Sequence, residues 1–163
     1  MTHSDLHPNK PEAPRPLFSI ITVTYNAEQT IAPTIDSVAA QTCDLYEHLI
    51  IDGNSSDSTI DIIRRRMHPR LSFRSAPDRG IYDAMNKGLA NATGDYVLFL
   101  NAGDTLHSPD TLQHVADTIM ENDYPGIVYG QTDIVDSQRR RLGARHLTAP
   151  DTLTLRSFAD GMV

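Results

Sequence analysis

From Leu17 to Thr24 the chain reads LFSIITVT, a β-branched run that is apolar on both faces, as strands inside a parallel sheet are. Asn26 ends the run. Ile31, Ile35 and Val38 then recur at helical spacing, with Thr30 as N-cap and Pro33 in the tolerated first turn. HLII follows, closing on Asp52 and Gly53, and a polar turn leads into a helical stretch from Ser58 to Met67 carrying Ile60, Ile62 and Ile63. Leu71 to Ser75 suits a short strand, and Ile81, Met85 and Leu89 mark the core face of a helix over residues 80–92. DYVLFL, residues 95–100, is a second strongly apolar strand. Ser108 can cap the next helix, with Pro109 at its first position and Leu112, Val115 and Ile119 along it. GIVYG, residues 126–130, reads as a further strand, and DIVDSQRRRL suggests a hairpin turning at Asp136 to Gln138.

Strand alternates with helix at least four times, which predicts an α/β fold: a Rossmann-like, mainly parallel sheet with helices on both faces. Ligands of such sheets bind beyond the carboxyl ends of the strands, where loops converge and helix N-termini present unpaired N–H groups. The polar residues at those ends are Thr24, Tyr25 and Asn26 after the first strand, Asp52 after the second, Asp78 and Arg79 before the third helix, and Asn101 and Asp104 after the fourth strand. Taken singly, each is ordinary turn chemistry. Together they put polar groups from four loops on one edge.

Composition narrows the chemistry. The chain has 163 residues, 39% hydrophobic and 21% charged, enough to bury a core without a disulfide or metal staple. Cys43, the lone cysteine, excludes a disulfide scaffold and fits a reducing, cytoplasmic setting. Residues 1–16 hold Pro8, Pro11, Pro14 and Pro16 and no apolar signal-peptide core, so they read as a disordered tail ahead of a domain over residues 17–163. No apolar stretch approaches the roughly 20 residues of a membrane helix, although contact with the inner face of a membrane stays compatible. A net charge of -7 argues against nucleic-acid binding, and Arg64 to Arg66 and Arg139 to Arg141, without interleaved aromatics, read as solvated surface. Seven histidines (3, 7, 48, 68, 107, 114 and 146) show no zinc spacing and read as surface or tail residues. There is no GxxxxGK[ST], and no GxGxxG follows the first strand, against P-loop NTPases and dinucleotide-binding dehydrogenases. A receiver-like signalling domain would share an Asp at a strand end, but needs a pair of acids where Thr24, Tyr25 and Asn26 stand.

SIITVTYN (19–26), IIDGNSSDST (50–59), DRGIYDAMNKGLANATGDYVLFLNAGD (78–104) and VYG (128–130), in that order and spacing, resemble the nucleotide-sugar half of family 2 glycosyltransferases. The resemblance implies an A-type, Rossmann-like fold and inverting transfer of a sugar from a nucleotide-diphosphate donor, UDP-linked, to a hydroxyl of a saccharide or lipid-linked acceptor in cell-envelope polysaccharide or glycolipid synthesis. By the same resemblance Thr24, Tyr25 and Asn26 contact the nucleoside, Asp52 accepts a hydrogen bond from the base, and Asp78 and Arg79 run beside ribose and diphosphate, Arg79 neutralising phosphate. Lys87, more than two turns along the same helix, reads as solvated surface, Tyr82 as either core or site, and Asp57 or Ser58 caps the second helix.

Related enzymes hold Mg²⁺ or Mn²⁺ with a DxD-type motif, hard oxygens suiting these ions. Here the two acidic positions are Asn101 and Gly103, which leaves Asp104 as the metal ligand and turns Asn101 toward ribose or sugar. The general base is expected in the later part of the family's domain. Asp133, Asp136, Asp151 and Asp160 are the late acids, none stands in a matching motif, and the base is placed beyond Val163. The chain thus reads as a C-terminally truncated donor-binding part, with a nucleotide-binding fragment lacking turnover as the alternative.

Overall fold

The strand β1 (Phe18–Thr24) is buried at every position because it has a strand on each side and helices over both faces. The computed structural model describes residues 15–136, 138 and 140–144. After β1 come α1 (Ile31–Ala39), β2 (Tyr46–Asp52), α2 (Thr59–Arg65), β3 (Leu71–Ser75), α3 (Ile81–Leu89), β4 (Tyr96–Phe99), α4 (Thr111–Glu121), β5 (Asp133–Val135) and β6 (Arg141–Ala144). The chain forms two compact units, one up to Asp117 and one from Thr118.

In the first unit four parallel strands lie in the order β3-β2-β1-β4. The register pairs Thr24 with Asp52 and Asp52 with Ser75, so the carboxyl ends of three strands finish level. Strand alternation sends Ile50 and Leu71 to one face, where Ile31 and Ile35 of α1 and Ile63 of α2 cover them. Ile21, Val23, Leu49 and Ile51 face the other way and meet Ala84 of α3. The expected α/β architecture is therefore present, with helices on both faces. In the second unit β5 and β6 pair as an antiparallel hairpin, and Asp136 accepts the N–H groups of Gln138 and Arg140 at its turn.

Several local expectations are corrected. The buried residues of α3 are Ala84 and Gly88, whereas Ile81 and Leu89 are each 50% exposed. The reason is proximity: a Cβ at Gly88 would lie 2.5 Å from Ile21 Cγ2, so the helix rests on the sheet through its small residues. α4 begins at Thr111 and not at Pro109, because Gln41 and Thr42 capture the carbonyls of Ser108 and Pro109. Residues 126–130 form no strand: Asp123 and Tyr124 turn in the left-handed region, and the run finds no ladder partner among the described residues. Val97 and Phe99 of β4 are exposed, since α3 lies over β1 and β2. Arg15, placed in the tail by composition, donates to the Thr93 carbonyl and pairs with Asp95. Residues 1–14 lie outside the described part.

His48 corrects the reading of the histidines as surface groups. It is fully buried in β2, and its Nε2 lies 2.9 Å from Thr22 Oγ1 on β1. Burial, assisted by nearby His68, lowers its pKa to about 3, so the ring is neutral at physiological pH. Glu47, one residue earlier, behaves oppositely. Burial pushes its carboxyl up, but donors at Ser19, Thr93 and Gly94 outweigh that and leave it below the ordinary carboxylate range. Ser19 Oγ and Thr93 N both reach Glu47 Oε1 at 2.6 Å, which ties β1 and β2 to the turn before β4.

The unfolded chain protonates His48 near its ordinary 6.5 while the folded chain resists to about 3, so this contribution is complete above pH 6.5 and lost as pH falls through that window. Unfolding free energies from urea titrations across pH 3 to 7 for the parent and His48→Gln should diverge on the acid side, by up to roughly 4 kcal/mol; parallel curves would show that His48 does not carry the effect. Gly88→Ala should lower the melting temperature, because an overpacking penalty of about 1–3 kcal/mol exceeds the roughly 1 kcal/mol gained in helix propensity.

Candidate functional site

The carboxyl edge of the sheet is organised by its loops before any ligand arrives. Asn26 adopts a left-handed conformation, φ 48°, which turns the β1–α1 loop across the β2–α2 loop. Its Oδ1 accepts the Ser56 N–H at 2.9 Å, and its own N–H donates to Ser55 Oγ at 2.8 Å. Ala27 N–H donates to Thr59 Oγ1, Glu28 N–H to Asp57, and Ser58 N–H back to Glu28. Asp57 also accepts the Thr59 N–H, so it is the side chain that caps α2, while Ser58 makes no cap bond.

Beneath this clamp lies Asp52, with no exposed surface. Ser55 reaches it with both its N–H and its hydroxyl, and Ser75 Oγ donates to Oδ2 at 2.6 Å. The carboxylate is thus taken up by β3 and by its own loop. A receiver-type role, which needs an accessible aspartate oxygen, has no place for it.

Above the clamp a cavity of about 510 Å³ opens between three loops. Thr24 lines it from the end of β1 and Tyr25 from the loop after it, Gly53 and Asn54 from the β2–α2 loop, Asp78 and Gly80 from the β3–α3 loop, and Ile81 and Ala84 from α3. Thr24 Oγ1 is buried without a hydrogen-bond partner among the described residues. Asp78 Oδ1 accepts the Gly80 N–H at 2.8 Å. Gly80 caps α3 at φ 107°, a conformation that favours glycine. Of the residues singled out in the sequence, Thr24, Tyr25 and Asp78 line this cavity, Asn26 and Asp52 belong to the hydrogen-bonded loops next to it, and Arg79, Asn101 and Asp104 lie outside its lining.

Arg79 is 90% exposed at the side chain and pairs with Asp83 at 2.9 Å. Lys87 pairs with the same carboxylate at 2.9 Å and also donates to the Pro77 carbonyl, so it braces the cavity wall. Hydrogen bonds from Lys87 and then Arg79 hold the Asp83 carboxyl well below the usual carboxylate range. Their (i, i+4) spacing is visible in the sequence, but the brace to Pro77 needs the loop's conformation. Asn54, at φ 68°, was missed for a similar reason: it reads as a turn residue, and only the fold puts it on the cavity.

The loop after β4 is held separately. Gly103, at φ 109°, donates its N–H to Thr34 Oγ1 of α1, and Leu106 N–H donates to Ser37 Oγ. Asn101 Oδ1 is buried without a partner, and Asp104 is exposed. Among the described residues no group of three His, Cys, Asp or Glu side chains stands together as a metal cluster. The donors available to a cation here are oxygens, the Asp104 carboxylate and the unpaired Asn101 carboxamide, a set that suits Mg²⁺ or Mn²⁺ but is incomplete without ligands from elsewhere. Arg64, Arg66, Arg140 and Arg141 each pair with an aspartate, so these four cations of the two basic stretches are matched by acids. Among the described residues no helix is long and apolar enough to cross a membrane.

Comparison with known proteins agrees with this arrangement. A "PGL/p-HBAD biosynthesis glycosyltransferase" of Mycobacterium bovis is 40% identical over 132 residues, 79% of this chain and 52% of that protein. An uncharacterized glycosyltransferase of Mycobacterium tuberculosis is 30% identical over 147 residues, 90% of this chain and 54% of its own length. The chain thus spans about half the length of the curated relatives it matches. Among solved structures, Staphylococcus aureus TarS 1-349 in complex with UDP-GlcNAc superposes with a TM-score of 0.59 at 29% identity, over 65% of this chain and 32% of that one. The mannosyltransferase PcManGT of Pyrobaculum calidifontis, in complex with GDP-Man and Mn²⁺, gives 0.58 at 29%, over 64% and 32%. The fold is that of the A-type glycosyltransferases, and the family model for Glycosyl transferase family 2 matches residues 19–160: the chain belongs to that family.

Proposed function

We propose that this chain binds a nucleoside-diphosphate sugar at the carboxyl edge of its sheet and serves inverting transfer of the sugar to a hydroxyl acceptor. The observation that carries the reading is the cavity of about 510 Å³, whose lining brings the exposed Tyr25 together with Thr24, Asn54 and Asp78. A stacking face with a few convergent polar groups suits a nucleoside better than a bare sugar. Arg79 and the N-terminal end of α3 lie beside the opening, where a diphosphate would extend from the ribose. The solved relatives at 29% identity, one with UDP-GlcNAc and one with GDP-Man, support a nucleotide-sugar donor, and we take UDP as the first to test. The M. bovis relative, named for PGL/p-HBAD biosynthesis, supports a saccharide or lipid-linked acceptor, and our reading sets the reaction in cell-envelope synthesis on the cytoplasmic side of the membrane.

In this reading an acceptor hydroxyl loses its proton to a base as its oxygen attacks the anomeric carbon, and the C–O bond to the diphosphate breaks with the electron pair leaving on phosphate. A divalent cation, when bound, supplies charge neutralisation to that leaving group. Asp104 would hold it, and Asn101 would face the ribose or sugar. Among the late acids, Asp133 pairs with Arg141 and Asp136 holds its own turn, while Asp151 and Asp160 lie outside the described residues. None is nominated as the base.

Isothermal titration of the chain with UDP, with and without Mn²⁺, is the direct test. UDP should bind, and Mn²⁺ should tighten it by roughly tenfold, the size of one charge-assisted contact. Asp104→Ala should remove the Mn²⁺ effect and leave metal-free affinity unchanged. A parent that binds no nucleotide would defeat the donor reading, and one indifferent to Mn²⁺ would defeat only the metal assignment.

A further inference from the structure

Two acids compete for the role of receiving a base N–H, and the structure separates them. Asp52 stands at the end of β2, where the resemblance places the contact, yet it has no exposed surface and both oxygens already accept bonds from Ser55 and Ser75. Asp78 is the alternative. Its Oδ1 is taken by the Gly80 N–H, which fixes the carboxylate plane, while Oδ2 receives no hydrogen bond from the described residues. That free oxygen lies over Gly53: a Cβ built there would stand 2.8 Å from Asp78 Oδ2 and 3.3 Å from Tyr25 Cδ2. The bare glycine therefore leaves the space in which an acceptor oxygen and an aromatic ring converge on the cavity.

We propose that Asp78 is the base-reading residue of this chain: its free Oδ2 accepts the ring N–H of a uracil-type base stacked on Tyr25, above Gly53. The inference deepens the nucleotide-sugar reading and rests on it. A carboxylate only accepts, so it rewards a base whose ring nitrogen carries a proton and rejects one whose nitrogen is blocked. Asp52 is then a positioning residue that fixes the loop beneath the base without touching it.

The test uses the whole chain and two probes, UDP and UDP methylated at uracil N3, which keeps stacking, ribose and diphosphate but lacks the N–H. The parent should prefer UDP by roughly tenfold or more, as sites built to hydrogen-bond a donor do. Asp78→Ala should bring the two affinities within about threefold. Gly53→Ala should reduce the preference as well, because its methyl displaces Asp78 Oδ2, and so gives an independent variant should Asp78→Ala lose stability. Asp52→Asn should lower the melting temperature and weaken both ligands together, with the preference intact. A preference that survives Asp78→Ala, or that disappears in Asp52→Asn alone, overturns the assignment. Equal parent affinities for the two probes overturn it too while leaving the nucleotide reading standing, whereas a parent that binds neither refutes that reading and the assignment together.

Discussion

The carboxyl edge of this sheet depends on one buried carboxylate. Asp52 ends β2 between Thr24 of β1 and Ser75 of β3, and its oxygens are occupied by Ser75 on one side and by Ser55 of the following loop on the other. An unpaired carboxylate without exposed surface would cost several kcal/mol, so the loop that brings Ser55 back to it is not free to wander. Once Ser55 is fixed, its hydroxyl is in reach of the Asn26 N–H, and Ser56, Asp57 and Thr59 complete the seam to the β1–α1 loop. Tyr25 and Asn54, on either side of that seam, inherit their positions from it. The cavity is shaped by hydrogen bonds that a ligand need not supply, which lowers the ordering cost of binding.

How far this was legible in the sequence varies with the range of the interaction. The apolar runs of β1 and β2, and the helical spacing of Ile31, Ile35 and Val38, are local signals, and the elements appear where those signals put them. Which side of α3 is buried was not legible. Apolar periodicity favours Ile81, Met85 and Leu89, but the helix approaches the sheet closely enough that only Ala84 and Gly88 fit between. Small residues carry little weight in a hydrophobicity pattern and decide close approach in the fold. His48 misled for the converse reason: a polar residue in an apolar strand looks like an exposed position until its cross-strand partner Thr22 is known.

The site shows the same division. That Thr24, Tyr25 and Asp78 sit on one edge follows from strand order, which the βαβ alternation predicts. Which oxygen of which acid is free depends on Ser75, more than 20 residues from Asp52, and on the turn that presents Gly80 to Asp78. Such pairings leave no periodic trace. The four loops also divide: three border the cavity, while the loop of Asn101 and Asp104 is tied through Gly103 to Thr34 of α1. On the proposed reading, nucleoside and cation would have separate supports.

The two cations that pair with Asp83 are unequal, and their surroundings say which one can move. Lys87 is held at both ends of its reach, by Asp83 and by the Pro77 carbonyl, so shifting it would loosen the wall that carries Asp78. Among the described residues Arg79 has only Asp83, in an exposed pair of the kind that contributes little. A diphosphate offers a guanidinium a bidentate, charge-assisted contact of about 1.5–3 kcal/mol, so on the proposed reading the exchange from Asp83 to phosphate runs downhill for Arg79 and not for Lys87. Asp83 would keep Lys87 as its partner after the exchange, and the wall of the cavity would stay in place while the arginine closes over the ligand.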